Sequence, residues 1–566
     1  MKNFAIFVLL FFNPFIHLSQ LIKKENLTEL DVFYWDAGGR SIQSQGSYYK
    51  DKYRTTIEKH GQWLYFFNDG NLEEERNYYR DLLHGKTIIY YSNKNPKQEG
   101  YFFLDVKDSI YREWNETGVL TLEGYYNKGV KVDIWKEYYD SGLAKSVSLI
   151  EDTTVKVISF WLPDSLHTQT IIDGNGAYYT FHPNGTIKEW YNYKDSVRHG
   201  EFAELSISGN VLLEGKYSEG FKDSVWKQYY YSGQTQKSCF YKKGVLDGEY
   251  LTFYENGKSN VEGFYKDGKK INKWIWYTDT GNKDMEGFFS EDLQDGDWNY
   301  YFETGQLSYA AKFDKGLRSG SWQYYYRGGE KFKEGNYSKD NKTGIWQTYY
   351  EDGTVLMSGA YVDGLEDGTW INNWENGMIK NQSTFEKGKL DGVWKSYYPN
   401  GVLHLSGQYK ENLKTGQWVD YFEKGNPKDI VTYKVYKVKS KLKDLNDVKE
   451  YQSLKNGMSV SFSQKDYEKT EQGNYKKGEK HGNWIDYHIG GYTPAVISPY
   501  KSGILHGTMK TFDRKGRIVQ EVDYKKGMRH GRFIVYDRNE EVLYEKKFAF
   551  GLEIKQNKFK EGNFKP

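Results

Sequence analysis

Eleven consecutive anchor positions fall on one period of 24 residues: Tyr178, Phe202, Trp226, Tyr250, Trp274, Trp298, Trp322, Trp346, Trp370, Trp394 and Trp418. A glycine follows each anchor by seven residues, from Gly185 to Gly425, and an aromatic follows each by fifteen, from Tyr193 to Tyr433. A fixed period of this length demands a stacked repeat architecture, in which each copy is one supersecondary unit that buries its apolar face against its neighbours. Length alone, at 566 residues, would suggest several globular domains, and the period overrides that expectation.

With the anchor as position 0, aromatics stand at +3 and +4 and Asn-Gly or Asp-Gly at +6/+7, as in Asn256-Gly257, Asp352-Gly353 and Asn400-Gly401; Gly305 holds +7 in its own copy. Such dipeptides between alternating apolar residues are the strongest short-range signal for a β-hairpin, because the turn needs positive φ. A branched apolar residue near +9, glycine at +13 and the aromatic at +15 make the second strand. Glycine near +18, with Asp-Gly or His-Gly at +21/+22, reads as a second turn. A two-residue loop at +6/+7 predicts that 0 pairs with +13, so that Trp346 lies across from Gly359 and Trp394 from Gly407, the glycine leaving room for the indole. By strand alternation, positions 0, +4, +9 and +15 form one aromatic face, and +1, +3 and +5 form the other, with the +3 tyrosines exposed. The expected fold is all-β: an elongated, single-layer antiparallel meander of about twenty 24-residue hairpins, advancing ~10 Å per hairpin.

The remainder of the chain sorts around that array. Residues 1–19, with Lys2, the apolar run Phe4 to Phe12 and Asn13-Pro14, read as a secretory signal and predict an extracytoplasmic protein. An opening cap with an irregular first repeat fills 20–59, and a first array 60–150 with anchors Trp63, Thr87, Tyr111 and Trp135. A degenerate unit occupies 151–175, the regular array 176–426, a Lys-rich insertion 427–456 and the last repeats 457–551. A basic, frayed tail completes the chain at 552–566. In the insertion, Thr432 to Lys439 alternates as a strand and Lys441 to Leu454 reads as a helix or loop. The one cysteine, Cys239, permits no intrachain disulfide and stands in the +13 slot as a small core residue.

The pattern G-x-W-x-x-Y-Y-x-N-G, followed by L, G-x-Y, G and D-G, resembles the MORN repeat (membrane occupation and recognition nexus), in its bacterial variant, over Phe33 to Phe548. The resemblance implies a repeat fold without a catalytic motif or cofactor, in a family linked to membrane association, to scaffolding and to elongated dimers. Proteins with this variant are often labelled antitoxin components of toxin-antitoxin systems.

Six histidines share one slot three residues before an anchor (His60, His84, His199, His481, His506, His530), where other copies carry Asp247, Asp295, Asp367 or Asp391. Equivalent slots stand ~10 Å apart, too far for one ion, so the slot reads as turn chemistry and not as a metal row. The carboxylates recur with the turns, and no phosphate-cradling loop precedes a helix. With 79 basic against 77 acidic residues the charge is balanced, which excludes the electrostatic footprint of a nucleic-acid binder. These features point to a non-catalytic scaffold for a protein partner. Two other classes remain open: a lipid- or glycan-binding surface that uses the aromatic rows, and an antitoxin-like neutraliser should the leader not be a signal.

Overall fold

The computed structural model describes residues 23–52, 57–152, 154–438 and 450–558. The leader at 1–19, the insertion's 439–449 and the tail from 559 lie outside the described residues. The chain divides into two compact units, 1–269 and 270–566. Each is an antiparallel meander in which a strand pairs with the next strand in chain order, as Glu201↔Lys216 and Gln228↔Lys237 show in the first unit and Ile345↔Ala360 and Met357↔Asn372 in the second. Apart from the 3-10 turn Lys24–Asn26, the regular elements among the described residues are all strands.

The predicted pairing holds at every tryptophan anchor of the array: Trp346 faces Gly359 and Trp394 faces Gly407, and Trp226, Trp298 and Trp418 face Cys239, Ala311 and Val431. The turns differ from expectation. At +6/+7 the loop has three residues: the Tyr350 N–H donates to the Thr354 carbonyl at 2.8 Å and the Gly353 N–H to the Tyr350 carbonyl at 3.0 Å. Only Gly353 in that loop has positive φ, +85°, as do Gly257, Gly305 and Gly401 at +83°, +87° and +83°. A right-handed turn closed by one left-handed glycine is the usual three-residue hairpin, and it shifts the register by one residue. That shift falls between Thr348 and Tyr349. The Asn or Asp at +6 keeps negative φ and accepts the N–H two residues on, as Asp352 does from Thr354 at 2.8 Å.

The two-residue turn lies instead at +17/+18, where Asp363 and Gly364 have φ of 49° and 83° and Val362 pairs with Leu365. Where +18 lacks glycine, Asp340 or Asn412 adopts the left-handed conformation, which these residue types tolerate, and its side chain accepts the N–H of Arg318 or Leu390 in the preceding hairpin. The Asp-Gly at +21/+22 is not a turn. Asp367-Gly368 sits inside the strand Leu365–Asn373 as a bulge, with Gly368 at φ 72°.

The degenerate unit is a short hairpin, Thr154–Trp161 with Gln169–Ile172, around the buried Val157, Phe160 and Ile171. The insertion lengthens one hairpin: Pro427–Val438 pairs with Glu450–Phe462 as far as Val438↔Glu450, so Glu450 to Leu454 is strand and not helix or loop. The expected frayed tail is likewise strand over Leu552–Lys558, paired with Val542–Ala549.

Candidate interaction surface

The register shift near the first turn changes which residues share a face. In the second unit the buried cluster of Trp298, Ala311, Trp322, Tyr337 and Trp346 is joined by Trp276, Met285, Phe289, Tyr300, Tyr309, Phe313, Tyr324 and Tyr361. The core face is therefore 0, +2, +11, +13 and +15. Positions +4 and +9 do not belong to it, because the extra residue at +10 rotates the strand ends out of the expected alternation. Residue +9 pairs with +3 on the opposite face, as Val355 does with Tyr349.

The Trp226, Trp298, Trp346, Trp370 and Trp418 indoles each cover a glycine, but in the hairpin before their own. A Cβ built on Gly335 would stand 2.1 Å from Trp346 Cδ2, and one on Gly359 2.0 Å from that atom of Trp370. The indole N–H then donates to the carbonyl beside that glycine: Trp346 to Asn336 at 3.1 Å, Trp370 to Ala360 at 3.1 Å, Trp226 to Lys216 at 3.1 Å. Burial follows the covered residue. Over glycine, Trp298, Trp346 and Trp418 are 2%, 3% and 3% exposed; over Ala311, Trp322 is 7% exposed; Trp394, facing Ser383, is half-buried. Trp274 is also buried. Rings at +15 stand edge-on to the indoles, Tyr337 and Tyr361 lying 5.1 and 6.1 Å from Trp346, an arrangement favoured by the ring quadrupoles.

Sequence reasoning missed a cation over this face. A lysine four residues before the anchor sits on the indole: Lys222 at 4.1 Å from the Trp226 centroid, Lys342 at 4.7 Å from Trp346, Lys414 at 4.1 Å from Trp418 and Lys480 at 3.8 Å from Trp484. Burial lowers the pKa of the Lys222, Lys342 and Lys414 ammoniums. The signal was available, since Lys or Arg recurs at −4 with the same period.

The +4 tyrosines make the second link between hairpins. Tyr350 donates to the Asn373 carbonyl at 3.0 Å, Tyr326 to that of Tyr349 at 2.7 Å and Tyr398 to that of Tyr421 at 2.8 Å, each 23 residues on. Replacing Tyr350 by Phe should weaken this hairpin contact by ~1 kcal/mol, the usual net value of one hydrogen bond. Faster amide exchange in Leu365–Asn373 would report it, and unchanged exchange there would show that the bond contributes nothing.

On the opposite face the +3 tyrosines are half-buried and not exposed. Tyr349 donates to Glu334 at 2.5 Å and Tyr301 to Glu286 at 2.8 Å. Burial first, and then the carboxylate, pushes both phenols up to about 12. For Glu286 burial opposes ionisation, yet hydrogen bonds from Lys283, Tyr301 and Lys273 outweigh it and bring the carboxyl down to about 2.

In several copies the histidine or aspartate slot serves the two-residue turn of the following hairpin. The Asp367 carboxylate accepts the Lys387 N–H at 3.4 Å and Asp295 that of Lys315 at 3.2 Å, and His60 Nδ1 accepts the Arg80 N–H at 3.3 Å, each across 20 residues. No group of His, Cys, Asp and Glu among the described residues could hold a metal ion. Cys239 is buried in its +13 slot, and burial pushes its thiol up. No helix among the described residues is long and apolar enough to cross a membrane.

A family model described as the MORN repeat variant matches residues 59–78, 83–103, 246–267, 342–363, 390–411 and 505–526. All six segments begin at −4, on the residue before the bulge and anchor, so the family model and the 24-residue period agree in phase. None of the curated proteins compared with the chain matches it. Among solved structures, the crystal structure of TcdB2-TccC3 aligns over 93% of this chain and 31% of that chain, at 12% identity and a TM-score of 0.13. The crystal structure of TcdB2-TccC3-Cdc42 aligns over the same shares at 10% identity and 0.13, and the Photorhabdus luminescens Tc holotoxin pore over 92% and 30% at 12% and 0.12. The chain spans about a third of the length of those chains, and TM-scores this low say nothing further about it.

Proposed function

The chain is a MORN-repeat protein, and from that premise we propose that it is a non-catalytic scaffold, carried outside the cytoplasm, that holds a protein partner along several consecutive hairpins. One observation carries the reading. The polar groups that could do chemistry recur in the same structural tasks: Tyr +3 on Glu +12, Tyr +4 on a carbonyl 23 residues on, and the slot aspartates Asp295 and Asp367 on a turn N–H. Side chains committed in this way leave a surface of near-equivalent contacts, which gives avidity over length and no single pocket. Tyr and Trp are also the residue types that anchor protein interfaces. The extracytoplasmic placement is supported by the charged and apolar pattern of Lys2 to Phe12.

Deleting hairpins between Tyr178 and Tyr433 in whole multiples of 24 residues should weaken binding to the captured partner step by step, with little lost at any one deletion. One deletion that abolished binding while the others were silent would mark a discrete site and end the scaffold reading. N-terminal sequencing of the mature protein tests the placement, because an intact Met1 would remove it.

A further inference from the structure

Two of the six slot histidines are unlike the rest. His60 is 0% exposed and His84 2%, whereas His199 and His506 are exposed and His481 and His530 half-buried. The difference comes from +16, which is aromatic in the first repeats (Tyr79, Phe103) but Lys194, Ser218 and Lys242 farther on. With Tyr49 these rings form one continuous file, Tyr49–His60–Tyr79–His84–Phe103, with successive centroids 5.2, 5.3, 5.8 and 5.2 Å apart. Inside it, His60 Nε2 and both ring nitrogens of His84 have no hydrogen-bond partner. A buried polar nitrogen without a partner is costly, and it is rare enough to need an explanation.

The groups packed around the file place no hydrogen-bond acceptor on His60 Nε2 or on either nitrogen of His84. His60 faces the Tyr49 and Tyr79 rings and the pair Arg80–Glu58, closed at 2.6 Å, while Asp81 in the same turn holds the Lys59 N–H. His84 faces Tyr79 and Phe103, and Asp105 in the next turn is held by the Leu83 N–H. No carboxylate among the described residues is hydrogen-bonded to either ring. Burial lowers the pKa of both imidazoles; for His60 the Arg80 charge adds to this and Glu58 opposes it.

We propose that His60 and His84 form an acid-triggered latch: on acidification they take up protons as the hairpins between Tyr49 and Phe103 part, while hairpins that carry Asp or an exposed His in the slot stay closed. The sign follows from proton linkage. The opened chain binds protons at the ordinary imidazole value of ~6.5 and the closed one only at lower pH, so the stability from these residues is full above ~6.5 and is lost as pH falls below it. Each histidine should raise the opening equilibrium about tenfold between pH 7.5 and 5.5. The loss stays local because coupling in a repeat array is between neighbours.

Hydrogen exchange of the full chain at pH 7.5 and 5.5, expressed as protection factors, tests this. Protection in Lys59–Phe66, Leu72–Tyr79 and Pro96–Phe103 should fall ~10- to 100-fold at pH 5.5 relative to Val245–Phe253 and Ser259–Lys266. In His84→Phe, which keeps the ring file and removes no hydrogen bond, the fall should shrink about tenfold, and His60→Phe/His84→Phe should abolish it. An equal fall in both regions, or a fall that persists in the double variant, overturns the latch. If the variants do not fold, the histidine 15N shifts of the parent decide. Neutral rings until the hairpins open support the latch, and an imidazolium inside closed hairpins overturns it.

Discussion

Trp346→Ala is expected to lower the local stability of its hairpin and of the one before it by roughly 3–5 kcal/mol, the range for truncating a fully buried aromatic. The indole is 3% exposed, donates to the Asn336 carbonyl, meets Tyr337 and Tyr361 edge-on and carries Lys342 on its face. All of these contacts are lost together, and a cavity opens over Gly335. The loss should be uneven. Lys331–Ser338, which the ring covers, should exchange faster, while hairpins two or more repeats away keep their protection. Amide exchange is the right measurement, because a long array need not unfold in one step. A variant that exchanged like the parent in Lys331–Ser338 would mean that the indole does not cover that strand.

Gly359→Ala should be the next most damaging change, and its effect should appear at Trp370 and not at Trp346. The added Cβ would stand 2.0 Å from Trp370 Cδ2, so the indole must lift off and its bond to the Ala360 carbonyl must lengthen. Overpacking of this kind costs ~1–3 kcal/mol. Gly353→Ala is the matched control: it has positive φ and nothing within 4 Å of the new methyl, so its cost is that of a left-handed alanine, ~1 kcal/mol. The indole N–H resonances separate the two positions. A shift at Trp346 in Gly359→Ala, with Trp370 unmoved, would assign the rings to the wrong glycines. The chain itself contains the graded series, since Trp322 over Ala311 and Trp394 facing Ser383 are progressively less buried than the anchors over glycine.

Period, strand pairing and the partner of each anchor were legible in the sequence because they depend on spacing alone, and spacing survives whatever the side chains do. The pairing of 0 with +13 came out right although the loop was wrongly read as two residues, since the register shift lies beyond Thr348 and leaves Trp346 untouched. Face assignment was not legible. Alternation carries across a turn only when no residue is extra, and the unpaired +10 residue moved +4 and +9 off the core face. Asp367-Gly368 and Asp363-Gly364 both read as turns, and only strand pairing separates the bulge from the hairpin loop. The histidine or aspartate slot acts on a turn where it holds His60, Asp295 or Asp367, with its target 20 residues on in a neighbouring hairpin, whereas His84 makes no such bond. Its burial at His60 and His84 depends on +16 rings that pattern reading did not single out.

That an anchor indole such as Trp346 or Trp370 lies over the glycine of the preceding hairpin has a kinetic consequence. A hairpin is sealed by its successor: Gly335 stays bare until Trp346 arrives, and Gly359 until Trp370. A chain delivered N-terminus first, from a ribosome or through a pore, therefore zips shut one repeat behind the point of emergence, and a newest hairpin with glycine in that slot has one uncovered backbone seat. Growth in this direction is vectorial. Each arriving tryptophan locks what precedes it and leaves a single open place for the next.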